Sequence, residues 1–160
     1  MSSFPSNINQ TFAAINIPYL SDIFVGSHLA STQKYWLIEH NINYILTIDG
    51  SNPPSIHIND PYHYHYNITV TPDNFEIMMP RCLTIINNAF NTKNNILICC
   101  ETGTNISVAI VVAYIMHYYN YNYIEAINLI NDIYPTEISL QMRTALMLYN
   151  ISLQIPITPL

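Results

Sequence analysis

The chain has 160 residues, half of them hydrophobic, which suffices for one domain with a single core and argues against disorder. Only 9% of the residues are charged, and four Lys and Arg stand against ten Asp and Glu, for a net charge of −6. So few cations cannot neutralise a run of phosphates, which disfavours binding to nucleic acid or to an anionic membrane surface.

The N-terminal residues and the cysteines indicate the cellular compartment in which the protein is expected. No signal-peptide pattern opens the chain, and its longest apolar run, at residues 106–116, is too short to span a membrane. Cys82, Cys99 and Cys100 match neither a disulfide framework nor a zinc-binding pattern. We therefore expect an intracellular, cytoplasmic protein with free thiols and without a metal or other cofactor.

In chain order, the first half predicts strands that alternate with helices. Residues 1–14 are expected to form a flexible tail and residues 15–152 the domain, with a second tail at 153–160. Gly26 and the pair Asp49-Gly50 each close an apolar run, as at the end of a strand. Pro80 is best tolerated in the first turn of a helix. The predicted elements are strands at 19–25, 44–48 and 62–70 and helices at 31–40 and 80–90.

The second half predicts a strand, a tight loop and a buried helix in direct succession. Asn122, with Glu125 three residues later, has the pattern of a helix cap, and Pro135 ends that helix. The other predicted elements are a strand at 96–99, a loop at 101–105 and helices at 107–119 and 139–150. This alternation predicts an α/β domain whose central sheet is mixed, mostly parallel, and flanked by helices on both faces.

The junction between the predicted strand at 96–99 and the loop that follows it is the segment most typical of a functional site. Backbone N–H groups point into such a loop, and the positive N-terminus of the following helix favours anions and lowers the pKa of a nearby thiol. Cys100 stands at this junction. It is either a nucleophile at an anion site or a small buried structural residue.

The loop resembles that of the dual-specificity protein phosphatases, of the cysteine-dependent tyrosine phosphatase superfamily, which reads His-Cys-x-x-Gly-x-x-Arg-Ser. Residues 17–27, 108–116 and 123–127 are similar to further family segments in the same order, so the likeness covers residues 15–152. It implies the family fold, with Cys100 as nucleophile. The phosphate loop that it implies comprises Cys100, Glu101, Thr102, Gly103, Thr104, Asn105, Ile106 and Ser107.

Departures from the family pattern imply that catalysis is impaired. Ile106 stands where the family has an arginine that grips the phosphoryl group and stabilises the charge of the transition state. Cys99 replaces the preceding histidine, and Glu101 adds a negative charge to the loop. The general-acid position aligns with a proline, so Asp73, one residue later, is the remaining candidate for that role.

The sequence therefore predicts a pseudophosphatase that binds a protein partner, phosphorylated or not, and that can form a homo-oligomer. A weak protein tyrosine/serine/threonine phosphatase acting through Cys100 is one alternative, and a structural or assembly protein on this fold is another. Arg81 and Arg143 are candidates to replace the missing guanidinium, although both lie in predicted helices distant in sequence from the loop.

Three further patterns have a functional and a structural interpretation. Cys99 and Cys100 could join in a strained vicinal disulfide. His63 and His65 share one face of a strand, near His57, but lack the carboxylate or third ligand that a metal site needs. The tyrosines of residues 118–123 are typical of a helix end and also suit a protein interface.

Overall fold

The computed structural model describes residues 22–49, 63–134 and 136–154. Its strands are β1 Ile23–Ser27, β2 Ile42–Ile48, β3 Tyr64–Ile68 and β4 Asn95–Cys100. Its helices are α1 Lys34–Glu39, α2 Phe75–Asn91, α3 Ile106–Tyr119, α4 Tyr123–Asn131 and α5 Leu140–Gln154. Within the described residues the four strands form one sheet, ordered β1-β4-β2-β3, in which every pairing is parallel. The predicted α/β class is confirmed, and this sheet contains no antiparallel pair.

Helices cover both faces of the sheet, as predicted. The larger core lies between the sheet and α2, α3, α4 and α5, whereas a smaller cluster joins the other face to α1 and a 3-10 turn at Ala30–Thr32. α3 runs through the larger core, and its residues 107–116 are all buried. A helix that is buried on all sides needs apolar residues all round, and this explains why the sequence of α3 has no amphipathic period. β4 is likewise apolar and buried from Ile96 to Cys100, because both of its faces are covered.

Two early elements differ from the prediction. β1 continues through Gly26 to Ser27, so the glycine does not close the strand, and residues 19–21 lie outside the described part of the chain. The helix predicted at 31–40 is divided in two, because the backbone of Gln33 (φ −91°, ψ 78°) leaves the helical region between the 3-10 turn and α1.

Helix α2 begins at Phe75, before the predicted start at residue 80. The Thr71 N–H donates to Asn74 Oδ1 at 2.7 Å and the Asn74 N–H to Thr71 Oγ1 at 3.2 Å, a turn that sets the helix start. Pro80 therefore lies inside the helix, and placing it in the first turn was wrong. Phe75 and Met79, one turn apart on the same side of the helix, are both buried. The free energy gained by their burial offsets the cost of the hydrogen bond that the proline cannot donate.

The later elements agree closely with the sequence. The Asn122 side chain accepts from the Glu125 N–H at 2.9 Å, and the Glu125 carboxylate accepts from the Asn122 N–H at 3.0 Å, which confirms the predicted cap of α4. Asn120, in the left-handed region (φ 57°), ends α3, so the tyrosine-rich segment is a helix end and a connection. α5 extends to Gln154, into the predicted C-terminal tail. In the described residues, no helix has the length and apolar character of a membrane span.

Candidate active site

A cavity of about 390 Å³ lies where the carboxyl ends of three parallel strands converge. His28 follows β1, Asp49 follows β2, and Cys100 is the last residue of β4. The strand register aligns Ser27 with Cys100, and the central position of β4 places the other two strand ends on either side of the thiol. The cavity is lined by His28, Ile48, Asp49, Cys100, Glu101, Thr102, Asn105 and Ile106.

The Cys100 thiol lies at the base of this cavity, over the N-terminus of α3. Its Sγ is 3.1 Å from Ser107 Oγ and accepts a hydrogen bond from the Ser107 N–H at 3.4 Å. The side chain is 4% exposed, and Ser107 is fully buried beneath it. Three polar features thus surround the sulfur: a backbone N–H, a hydroxyl and the N-terminus of α3. Cys100 is the residue that the resemblance implies as nucleophile.

The neighbouring Cys99 faces the opposite side of the sheet. Its Sγ lies 3.4 Å from Thr47 Oγ1 in the smaller core, where burial raises its pKa to about 12. Cys99 therefore stays a thiol at neutral pH and cannot replace Cys100 as nucleophile. Both thiols are free, and the alternation of side chains along β4 separates them, so no vicinal disulfide forms in this structure.

Contacts on two sides fix the loop between β4 and α3, residues 101–105, called here the cysteine loop. Gly103 adopts φ +77° and packs on the backbone of Gly26 and Ser27. On the other side, the Tyr134 hydroxyl donates to the Gly103 carbonyl at 2.9 Å. Two more hydrogen bonds tie the loop to the segment before α5: Glu137 N–H to Thr104 O at 2.8 Å and Ser139 N–H to Asn105 Oδ1 at 2.9 Å. The loop is thus held in place by the protein itself.

Ile106 is the first residue of α3 and lines the cavity. Its half-buried side chain packs against the larger core, so it has a hydrophobic role where the family arginine would face the ligand. The four basic residues of the chain all lie in the described ranges, and the cavity is lined by none of them. Arg143 donates its Nε–H to the Ile138 carbonyl at 3.0 Å, and Arg81 is an exposed residue of α2. Neither supplies the missing guanidinium.

The charges on the cavity wall are negative. Asp49 and Glu101 contribute carboxylates, and His28 contributes the only imidazole among the described lining residues. His28 donates its Nε2–H to the Ile48 carbonyl at 3.0 Å. Burial raises the pKa of the Asp49 carboxyl, while a hydrogen bond from the Val70 backbone and the nearby His28 act in the opposite direction. An anion that enters this cavity meets two carboxylates and no Lys or Arg.

The structure does not bring Asp73 to this cavity. Asp73 is exposed in the turn before α2 and is not among the lining residues. The sequence analysis missed His28 and Asp49, each of which directly follows a strand. The rule that parallel strands present their carboxyl ends at one edge of the sheet would have indicated both.

The histidine pattern does not form a metal site in the described residues. His65 Nε2 lies 3.0 Å from Thr47 Oγ1, and no group of three His, Cys, Asp or Glu side chains there is placed to hold an ion. His57 lies outside the described residues.

Comparisons with known proteins agree with this geometry. The family profile of the dual specificity phosphatase catalytic domain matches residues 23–152. Dual specificity protein phosphatase 1 of Arabidopsis thaliana is 30% identical over 115 residues, which cover 68% of this chain but only 56% of that relative. A mouse putative dual specificity phosphatase complexed with zinc tungstate superposes with a TM-score of 0.78 at 19% identity, covering 96% of this chain and 92% of that one. A human tyrosine phosphatase-like serine/threonine/tyrosine-interacting protein gives 0.76 at 17% identity, covering 89% and 97%.

Proposed function

The chain belongs to the dual specificity phosphatase family, and from that premise we propose that it is a pseudophosphatase. It retains the fold and the nucleophile position of the family but does not hydrolyse phosphate esters, and it acts as a protein-binding or regulatory module. The observation that carries this proposal is the composition of the cavity around Cys100, which combines Ile106, Asp49 and Glu101 and lacks Lys and Arg.

Electrostatics oppose the binding of a phosphate ester in this cavity. Two like unit charges 4 Å apart repel by about 4 kcal/mol at the effective dielectric constant of a site near the protein surface. A phosphate dianion here faces the carboxylates of Asp49 and Glu101, without a guanidinium to offset them. The N-terminus of α3 contributes the equivalent of only about half a positive charge.

The retained nucleophile does not compensate for this loss. Phosphoryl transfer depends mainly on positioning and on the stabilisation of charge spread over the equatorial oxygens. Ser107 contacts the Cys100 sulfur through its hydroxyl and its N–H, but the branched hydrocarbon of Ile106 donates no hydrogen bond to those oxygens. The alternative of a weak phosphatase also lacks its acid, because Asp73 lies outside the cavity. We therefore favour binding over catalysis.

A role inside the cell and a protein partner complete the proposal. The three cysteines are free, as expected in a reducing compartment. A fold with few charges and exposed tyrosine and aliphatic side chains offers surfaces suited to protein contacts. The curated relative is almost twice as long as the matched region, and its own activity does not define that of this chain.

Binding of vanadate, a phosphate analogue, tests the proposal. A site that holds vanadate at 100 times its Kd stabilises the fold by about 2.7 kcal/mol. We expect no such gain in the wild-type protein, measured as the shift of Tm with vanadate concentration. A saturable rise in Tm that is lost in Cys100→Ser would contradict the proposal, because it would show an anion held at the thiol.

A further inference from the structure

The two carboxylates on the wall of the Cys100 cavity have few partners within the protein. No hydrogen bond or ion pair joins the Glu101 carboxylate to another described residue. The Asp49 carboxyl accepts from the Val70 backbone and lies near His28. Both acidic residues are exposed where they line the cavity, so most of their acceptor positions are open to a ligand.

The donors of the cysteine loop, in contrast, are partly used by the protein itself. The Ser107 N–H donates to Cys100 Sγ at 3.4 Å, and the Thr104 N–H donates to Thr102 Oγ1 at 3.3 Å. The N-terminus of α3 adds the equivalent of only about half a positive charge, which two carboxylates outweigh. A ligand that brings its own donors and a positive charge therefore suits this cavity better than an anion.

Ile106 gives the same cavity an apolar side. Its half-buried side chain lines the wall, and the cavity volume of about 390 Å³ lies within the range of sites that enclose a small ligand. Lysine and arginine side chains combine an aliphatic stem with a cationic head. The stem of such a side chain can pack on Ile106 while its head reaches Asp49 and Glu101, which follow the neighbouring strands β2 and β4.

The surface around the cavity is also rich in carboxylates. The parallel strands end at this edge of the sheet, α2 and α5 begin there, and α4 ends there. The other exposed acidic residues of this edge are Asp73, Glu76, Asp132 and Glu137, and its exposed basic residues are Lys34 and Arg143. The excess of acid, on a chain with a net charge of −6, attracts a basic partner towards the cavity.

We propose that the Cys100 cavity binds a lysine or arginine side chain from a basic segment of a protein partner. This inference rests on the proposed function, because it names the chemistry of the partner that the non-hydrolysing site recognises. The cationic head pairs with Asp49 and Glu101 and the aliphatic stem packs on Ile106. Cys100 lies at the base of the cavity beneath the bound head and does not react with it.

Titration with two short peptides, followed by the amide NMR signals of the protein, tests this inference. Both peptides are capped at their ends and differ at one residue, which is arginine in one and its uncharged isostere citrulline in the other. We expect the arginine peptide to shift the signals of the cysteine loop and to bind at least about fivefold more tightly than the citrulline peptide.

Three variants locate the bound side chain. Asp49→Asn and Glu101→Gln should each weaken binding of the arginine peptide by roughly three- to fivefold and leave the citrulline peptide unchanged, since each removes one ion pair. Ile106→Arg should abolish binding of the arginine peptide, because a guanidinium of the protein then lies where the ligand's head would pair. The NMR spectra also report whether each variant is folded.

Glu39→Gln is the matched control. Glu39 is exposed at the end of α1, three residues before β2 begins and therefore at the opposite edge of the sheet, so this variant should bind like the wild type. Equal affinity of the wild-type protein for the two peptides would overturn the inference. Equal weakening by Glu39→Gln and Glu101→Gln would overturn it too, because attraction would then be general. Neither result concerns the proposed function, which fails instead if the wild-type protein hydrolyses an aryl phosphate through Cys100.

Discussion

Replacing Ile106 by arginine should raise the Cys100-dependent hydrolysis of an aryl phosphate by at least about 10²-fold over the wild-type protein. The new guanidinium would line the cavity at the position from which the family grips the phosphoryl group. Removing a single transition-state hydrogen-bond donor from an active site typically costs about 10²- to 10³-fold in rate, and restoring a charged, bidentate one should recover at least as much.

The expectation of recovery depends on a scaffold that is otherwise intact. The hydrogen bonds from Tyr134, Glu137 and Ser139 hold the cysteine loop without any contribution from an arginine. Ser107 still contacts the Cys100 sulfur through both its hydroxyl and its N–H. Glu101 remains in the cavity and opposes the gain, so Ile106→Arg combined with Glu101→Gln should be faster than Ile106→Arg alone.

Three variants separate this effect from general changes in charge. Ile77→Arg adds the same charge on an exposed part of α2 and should stay inactive. Ile106→Lys adds a positive charge but lacks the planar guanidinium that donates two parallel hydrogen bonds, so it should recover less activity. Adding Cys100→Ser to Ile106→Arg should abolish the gain. A folded Ile106→Arg protein with wild-type rates would show that the missing arginine is not what disables the site.

Gly103→Ala should destabilise the protein by about 2 to 5 kcal/mol, as measured by urea denaturation. The left-handed backbone at φ +77° costs a residue with a Cβ about 1 to 2 kcal/mol. That Cβ would also lie 2.6 Å from Gly26 C and Ser27 N, backbone atoms that can only move if β1 shifts. Forcing such shifts on packed structure typically costs a further ~1 to 3 kcal/mol.

The neighbouring Thr102→Ala is the control for Gly103→Ala. Thr102 is exposed, and its hydroxyl oxygen accepts from the Thr104 N–H at 3.3 Å and from the Thr104 hydroxyl at 3.0 Å. Both hydrogen bonds are exposed to water, which can replace them, so their loss should cost about 1 kcal/mol or less. Equal destabilisation by the two substitutions would mean that the loop tolerates a Cβ at residue 103. The close approach to β1 would then not explain why residue 103 is a glycine.

The sequence predicts the strand–loop–helix unit well because its signals are local. The apolar run of β4, the small polar residues of the cysteine loop and the apolar helix α3 follow one another directly, and the family motif marks Ile106 without any structure. The capping box of Asn122 and Glu125 is equally local and was confirmed. These elements depend on neighbours within a few residues.

The composition of the cavity depends on the order of the strands, which local patterns do not contain. β4 inserts between β1 and β2, and only this order brings His28 and Asp49 beside Cys100. Asp73 follows from an alignment across the turn before α2, and the structure leaves this exposed residue out of the described lining of the cavity. The same ordering adds the Asp49 carboxylate to the cavity wall, which makes the cavity more negative than Glu101 alone suggests.

The most direct test of the account is the hydrolysis of an aryl phosphate by the wild-type protein and by Cys100→Ser, compared at equal concentration. The assay should cover a range of pH values, so that the comparison does not depend on one ionisation state of the cavity. The account predicts that the two rates are equal throughout that range. A wild-type rate that clearly exceeds the Cys100→Ser rate at any of these pH values would show that the thiol still turns over phosphate esters without an arginine, which contradicts it.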